Sequence, residues 1–180
     1  MAVLSGMDFF TVEVLTWRGL VTYCILFVIQ VETTSVILAG ITRHPTEEWM
    51  QQVARNLTDS ESRTLTHQKY VLHDRDAKFC SSFTATLSEG GLQPLKLPAR
   101  SPNLNAFAER WVRSMKHECL SEMILFSEAS LKRVLAEYLA YYHTEGNHHQ
   151  GKQNILLFLA PAAAVLTIHR LFASSVSAVC

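Results

Sequence analysis

The pattern of apolar and polar positions divides the chain into short elements. Phe9-Phe10-Thr11-Val12-Glu13-Val14-Leu15 is rich in β-formers and predicts a first strand. Thr16-Trp17-Arg18-Gly19 predicts a turn, with Gly19 as its breaker. Residues 20–30 and 33–42 (TTSVILAGIT) predict a second and a third strand, and the short connections favour an antiparallel meander. His44-Pro45-Thr46-Glu47-Glu48 then marks a helix start, followed by Trp49, Val53 and Leu57 at helical spacing, with Met50 and Ala54 beside them. Residues 58–68 are polar and loop-like. Tyr70-Val71-Leu72-His73 predicts a short strand that ends on Asp74. Ser81 and Ser82 are the expected caps of a helix through Phe83, Leu87 and Ser88, closed by Gly90-Gly91. Leu95-Lys96-Leu97 predicts a last strand.

Two longer helices follow. Ser101-Pro102-Asn103 opens the one predicted over residues 105–120. The other covers residues 128–142, with Leu131, Val134, Leu135, Tyr138 and Tyr141 on its buried side. Three strands and a helix, then alternating short strands and helices, predict an α/β domain with a mixed sheet. After Gly151 charged residues almost vanish and Ala, Leu and Ser dominate.

Composition narrows the class. The 180 residues fit one domain with a tail, and 48% hydrophobic content supports a core. Lys plus Arg and Asp plus Glu are 16 each, so the net charge is zero, which excludes a histone-like polybasic binder and a strongly acidic mimic. Cys24, Cys80, Cys119 and Cys180 are scattered, without a C-x-x-C pair, and read as reduced thiols in a cytoplasmic protein rather than a disulfide or zinc scaffold. Residues 21–31 are apolar but too short to span a membrane, and residues 155–168 are broken by Pro161, so no membrane role is expected. His143, His148 and His149 lack a second ligand set and read as a surface loop.

Candidate chemistry comes from three acids. Metal-assisted phosphoryl transfer needs carboxylates gathered around one or two hard divalent ions. Asp8 opens the first predicted strand, Asp74 follows the strand at Tyr70, and Glu109 stands in the first turns of the long helix. Thirty-four residues lie between Asp74 and Glu109. Each acid alone also reads as a turn, cap or helix-dipole residue. Asp76 reads as a loop acid accepting backbone hydrogen bonds, and Glu13, oddly spaced from Asp8, belongs to the opposite sheet face.

The residues around these acids carry a resemblance. They are Met7-Asp8-Phe9-Phe10-Thr11-Val12, Ile41-Thr42-Arg43-His44-Pro45-Thr46 with Ala54-Arg55-Asn56-Leu57, and Tyr70-Val71-Leu72-His73-Asp74-Arg75-Asp76-Ala77-Lys78-Phe79. They continue in Ser101-Pro102-Asn103-Leu104-Asn105-Ala106-Phe107-Ala108-Glu109-Arg110-Trp111-Val112-Arg113 and Lys116-His117-Glu118-Cys119-Leu120. In these motifs, taken in order, the chain resembles the integrase core of bacterial insertion-sequence transposases. Those belong to the retroviral-integrase superfamily of Asp-Asp-Glu recombinases. The likeness covers residues 3–160. It implies an RNase H-like fold, a mixed five-stranded sheet with flanking helices. Residues 1–160 would be the catalytic core, and residues 161–180 an apolar tail of unknown role. It implies Asp8, Asp74 and Glu109 as the catalytic, metal-binding triad, holding two Mg²⁺ (or Mn²⁺) ions.

The helix bearing Glu109 carries a second signal. At about 100° per residue, Arg113 falls near 40° from Glu109 and Lys116 near −20°, so the three share one face. Without the resemblance this face reads as solvated, with Glu109 and Arg113 as an i,i+4 pair. With it, Lys116 and Arg113 are expected to hold DNA phosphates. Between Lys96 and Lys116 five basic residues face one acid, a local charge of +4. The preceding loop places Arg100 and Asn103 near the same substrate, or else forms an ordinary turn capped by Ser101 or Asn103.

The expected activity is metal-dependent DNA strand cleavage and strand transfer. The expected partners are element-end and target DNA, further copies of the chain, and a separate helix-turn-helix subunit or domain, since only seven residues precede Asp8. Two alternatives stand beside it. One is a non-catalytic remnant of a mobile element that keeps DNA binding or multimerisation. The other is an RNase H-type nuclease acting on an RNA–DNA hybrid.

Overall fold

The computed structural model describes residues 3–59, 65, 68–98 and 106–144. Five strands form one sheet in the order β3-β2-β1-β4-β5. These are β1 (Val3–Thr16), β2 (Gly19–Gln30), β3 (Val36–Thr42), β4 (Gln68–His73) and β5 (Gln93–Lys96). The helices are α1 (Glu47–Thr58), α2 (Ser81–Glu89), α3 (Ala106–Glu118) and α4 (Glu128–Thr144). A two-residue turn, Trp17-Arg18, joins β1 to β2, with Gly19 at a positive φ of 108°. β2 and β3 are antiparallel, as the short connections predict, whereas β4 runs parallel to both β1 and β5.

Of the described residues, one compact unit takes those up to Val12 together with Tyr23–Arg113; the other takes Glu13–Thr22 and those from Ser114 onward. In the first unit, α1 and α2 cover one sheet face. Met50, Val53, Ala54 and Leu57 of α1 and Phe83 and Leu87 of α2 pack with Met7, Leu26, Val28 and Val71. α1 starts where Thr46 accepts the Trp49 N–H, a side-chain cap. Gly40 lets α1 approach the sheet, because a Cβ there would lie 2.5 Å from Cζ2 of Trp49. On the opposite face Phe10, Phe27 and Trp111 of α3 form an aromatic cluster, with Phe27 and Trp111 centroids 4.5 Å apart.

In the second unit, α4 buries Leu131, Val134, Leu135, Tyr138, Leu139 and Ala140. Tyr141, expected among them, is half-buried. Cys119 is buried there too, and burial among the carboxylates of Glu137 and Glu118 pushes its thiol up to about 11. The Tyr138 hydroxyl donates to Glu118, and burial drives its pKa up as well.

Several expected boundaries move. β1 begins at Val3, not Phe9, because its first half pairs with β4. Asp8 therefore sits inside the strand rather than opening it. β3 begins at Val36, since residues 31–33 turn and Thr34 takes a φ of 53°. α2 is not capped by Ser81 or Ser82: its N-cap is Cys80, without a side-chain cap, and Ser82 instead donates to Glu47. β5 shifts to start at Gln93 and admits Pro94, which an edge strand tolerates. α3 stops at Glu118, and a short 3₁₀ turn, Leu120–Glu122, follows. Cys24, Cys80 and Cys119 are free thiols, as expected. Among the described residues no helix is long and apolar enough to cross a membrane. The tail 161–180, Cys180, His148 and His149 lie outside the described residues.

Candidate active site

The parallel pairing of β1 with β4 builds the centre of the site. Its last registered pair is Met7 with His73. Asp8, still within β1, and Asp74, the first residue after β4, each follow that pair by one position. Met7 belongs to the core under α1 and α2, so by alternation Asp8 faces the opposite side, with Phe10. Trp111 docks α3 on that side, its ring 5.6 Å from that of Phe10. Trp111 is 1% exposed, and its Nε1 has no partner among the described residues.

Local hydrogen bonds fix the two aspartates. Asp8 Oδ1 accepts the Phe9 N–H at 2.7 Å. Asp74 Oδ1 accepts the Asp76 N–H at 2.9 Å, a turn that mimics a backbone reverse turn. Asp76 Oδ1 accepts the Lys78 N–H, and its other oxygen pairs with the Lys78 ammonium. Asp76 is thus a loop acid that accepts a backbone hydrogen bond, as expected. Burial pushes its carboxyl up, but the Lys78 hydrogen bonds outweigh this and hold it below its ordinary value. The bond to Asp76 in turn raises the Lys78 ammonium.

Three residues that the sequence pattern left without a role support this loop. His73 is buried, packs on Phe79 and donates from Nδ1 to the Asp74 carbonyl. Burial lowers its pKa, although the neighbouring Asp74 opposes the shift. Arg75 donates from Nε to the Leu97 carbonyl at 3.1 Å, tying the loop to the end of β5. Lys78 lies with Nζ 5.3 Å from the Phe9 ring centre. A polar residue at the inward phase of a short strand was the available signal for His73.

Glu109 stands in the first turn of α3, exposed, and Arg113 and Lys116 are exposed on the same helix. Among the described residues Glu109 and Arg113 form no ion pair. The β1–β4 register ends one residue before Asp8 and Asp74, and no three His, Cys, Asp or Glu side chains of the described residues gather around a common point that could hold a metal ion. Arg100 and Asn103 lie outside the described residues. The donor set fits a hard divalent cation in its chemistry, since every candidate ligand is a carboxylate oxygen.

The comparisons agree with this architecture. A family model described as "Integrase core domain" matches residues 91–152. No curated protein sequence matches the chain. A chain of the simian T-cell lymphotropic virus intasome, solved in complex with PP2A regulatory subunit B56 gamma, superposes with a TM-score of 0.58 at 11% identity. That match covers 92% of this chain and 54% of the viral one, so the present chain spans about half of its length. The HTLV-2 integrase catalytic core domain, solved as a dimer with magnesium, gives a TM-score of 0.50 at 10% identity over 79% of this chain and 86% of that one. Residues 91–152 therefore match the integrase core domain family, and the fold is the RNase H-like fold of retroviral-integrase catalytic cores.

Proposed function

We propose that the chain is the catalytic core of a DNA transposase of the insertion-sequence type, a polynucleotidyl transferase that cuts and joins DNA strands. The observation that supports this reading is the parallel β1–β4 register, whose last pair, Met7 with His73, immediately precedes Asp8 and Asp74, with α3 packed through Trp111 on the sheet face opposite Met7. Asp8, Asp74 and Glu109 would hold Mg²⁺ or Mn²⁺, two ions together, and these would clamp the attacking and leaving oxygens of an in-line displacement. Asp8 acts from a backbone fixed by strand pairing and Asp74 from the turn that follows β4, while Glu109 closes the site from α3. Lys116 and Arg113 hold the phosphate backbone beside it, as do Arg100 and Asn103. Water first opens a phosphodiester at an element end and leaves a 3′-hydroxyl. That hydroxyl then attacks a target phosphodiester, forms the new strand junction and expels the 3′-oxygen of the target. Only oxygen–phosphorus bonds exchange, so no covalent enzyme intermediate is required.

The two DNA ends and the target imply an oligomer on DNA, with end recognition by a helix-turn-helix partner, in a reducing cytoplasm. Incubation of the full chain with a labelled donor end, target DNA and Mg²⁺ tests the reading. Joined product is expected. Degradation of an RNA–DNA hybrid without joining would instead mark a nuclease. Mg²⁺ binding without any nicking would mark a non-catalytic remnant.

A further inference from the structure

The second unit exposes an apolar patch that the strand-transfer reading does not use. At the end of the β1–β2 hairpin Trp17 is 87% exposed and Leu20 63%. The Leu15 N–H donates to the Leu125 carbonyl at 2.8 Å, which brings the extended segment before α4 alongside the end of β1. Leu125 points inward and is buried, whereas its neighbours Ile124 and Phe126 are 69% and 66% exposed. Single exposed apolar residues are ordinary, but several large ones on two segments joined by a backbone hydrogen bond point to an interaction surface.

The same chain supplies a matching occupant. α4 ends at Thr144, and the ten residues that follow, EGNHHQGKQN, are all polar or glycine. Residues 155–168, ILLFLAPAAAVLTI, then carry no charge at all. The patch lies at the other end of α4, since Phe126 is two residues before Glu128. A 17-residue helix is about 25 Å long. The eleven residue steps from Thr144 to Ile155 reach up to roughly 36–40 Å. The polar stretch can therefore run back along α4 and deliver the apolar segment to its starting end. Tethering makes this encounter intramolecular and favours it over a second copy or a separate partner.

We propose that residues 155–168 of this chain dock on the surface formed by Leu15, Trp17, Leu20, Ile124 and Phe126. This segment, which spans the end of the expected core and the start of the tail, would then cover the patch.

Site-specific cross-linking in the full chain tests this. A photoreactive benzoyl-phenylalanine in place of Trp17 sits at an exposed turn position and leaves the cores untouched. Mass spectrometry of the irradiated monomer is expected to find the link within residues 155–168. Phe158→Asp with Leu157→Asp in the same chain is expected to abolish that link. The full chain carrying only these two substitutions, with Trp17 intact, is expected to regain iodide quenching of the Trp17 fluorescence. A cross-linked dimer joined patch to patch would overturn the proposal in favour of self-association. Links only elsewhere in the chain, or none, would overturn it outright. None of these readouts depends on DNA joining, so failure here leaves the strand-transfer reading standing.

Discussion

Trp111 is the residue on which the docking of α3 depends, and two substitutions there test different physics. Its ring is 1% exposed and meets Phe10 and Phe27 at centroid distances of 5.6 and 4.5 Å. Trp111→Ala removes the ring and leaves a cavity, at a cost of about 3–5 kcal/mol. Trp111→Phe keeps a ring in the same place. It also removes a buried indole N–H that has no partner among the described residues. Relief of that unmet donor returns about 1–3 kcal/mol. The lost atoms cost a comparable amount, at about 0.8 kcal/mol per buried carbon. The net effect of Trp111→Phe is then within about 1 kcal/mol of zero. Urea unfolding followed by far-ultraviolet circular dichroism measures both without relying on tryptophan fluorescence. A Trp111→Ala protein within about 1 kcal/mol of wild type would refute the packing argument. A Trp111→Phe protein as unstable as Trp111→Ala would show that the indole N–H is bonded.

Three further outcomes follow from the same structure. Gly40→Ala places a Cβ 2.5 Å from Trp49 Cζ2 and 3.3 Å from Val53 Cγ2; urea unfolding is expected to show a loss of about 1–3 kcal/mol from overpacking. The Cys119 thiol, pushed up to about 11, is expected to alkylate far more slowly than Cys24 and Cys80 at pH 8, read by peptide mass spectrometry. Because its pKa is higher folded than unfolded, the stability it contributes is complete below pH 9 and falls as pH rises towards 11, which alkaline urea titrations check. Calorimetric titration with Mg²⁺ is expected to show binding that Asp8→Asn and Asp74→Asn each weaken at least about tenfold.

The sheet was legible wherever the signal was local. β2 announced itself through a run of β-branched and aromatic residues, and α1 through helical spacing behind a capping threonine. The start of β1 was not legible, because Ser5 and Gly6 are weak strand formers and are held by distant pairing. Ser5 donates to Gln68 Oε1 at 2.6 Å in the interior, a bond between residues 63 positions apart. The start of α2 misled for a related reason: Ser82 is engaged by Glu47 of α1, so its hydroxyl is unavailable as a cap.

The site followed the same rule. Asp8 and Asp74 stand out in the sequence only through the motifs around them, and the parallel pairing that sets Met7 beside His73, one residue before each, is encoded by no local pattern. His73 escaped notice because its work is done through a backbone carbonyl and a ring contact. The i,i+4 reading of Glu109 with Arg113 was sound as helix geometry, yet the two form no ion pair among the described residues.

In the proposed reaction Asp8, Asp74 and Glu109 act together on a DNA phosphodiester. Single-turnover joining of a labelled donor end to target DNA, in Mg²⁺, measures this most directly when wild type is set against Asp8→Asn, Asp74→Asn and Glu109→Gln. Joining by the wild-type chain is expected, with a loss of at least about a hundredfold in each variant. Joining at the wild-type rate by Asp74→Asn or Glu109→Gln would contradict it.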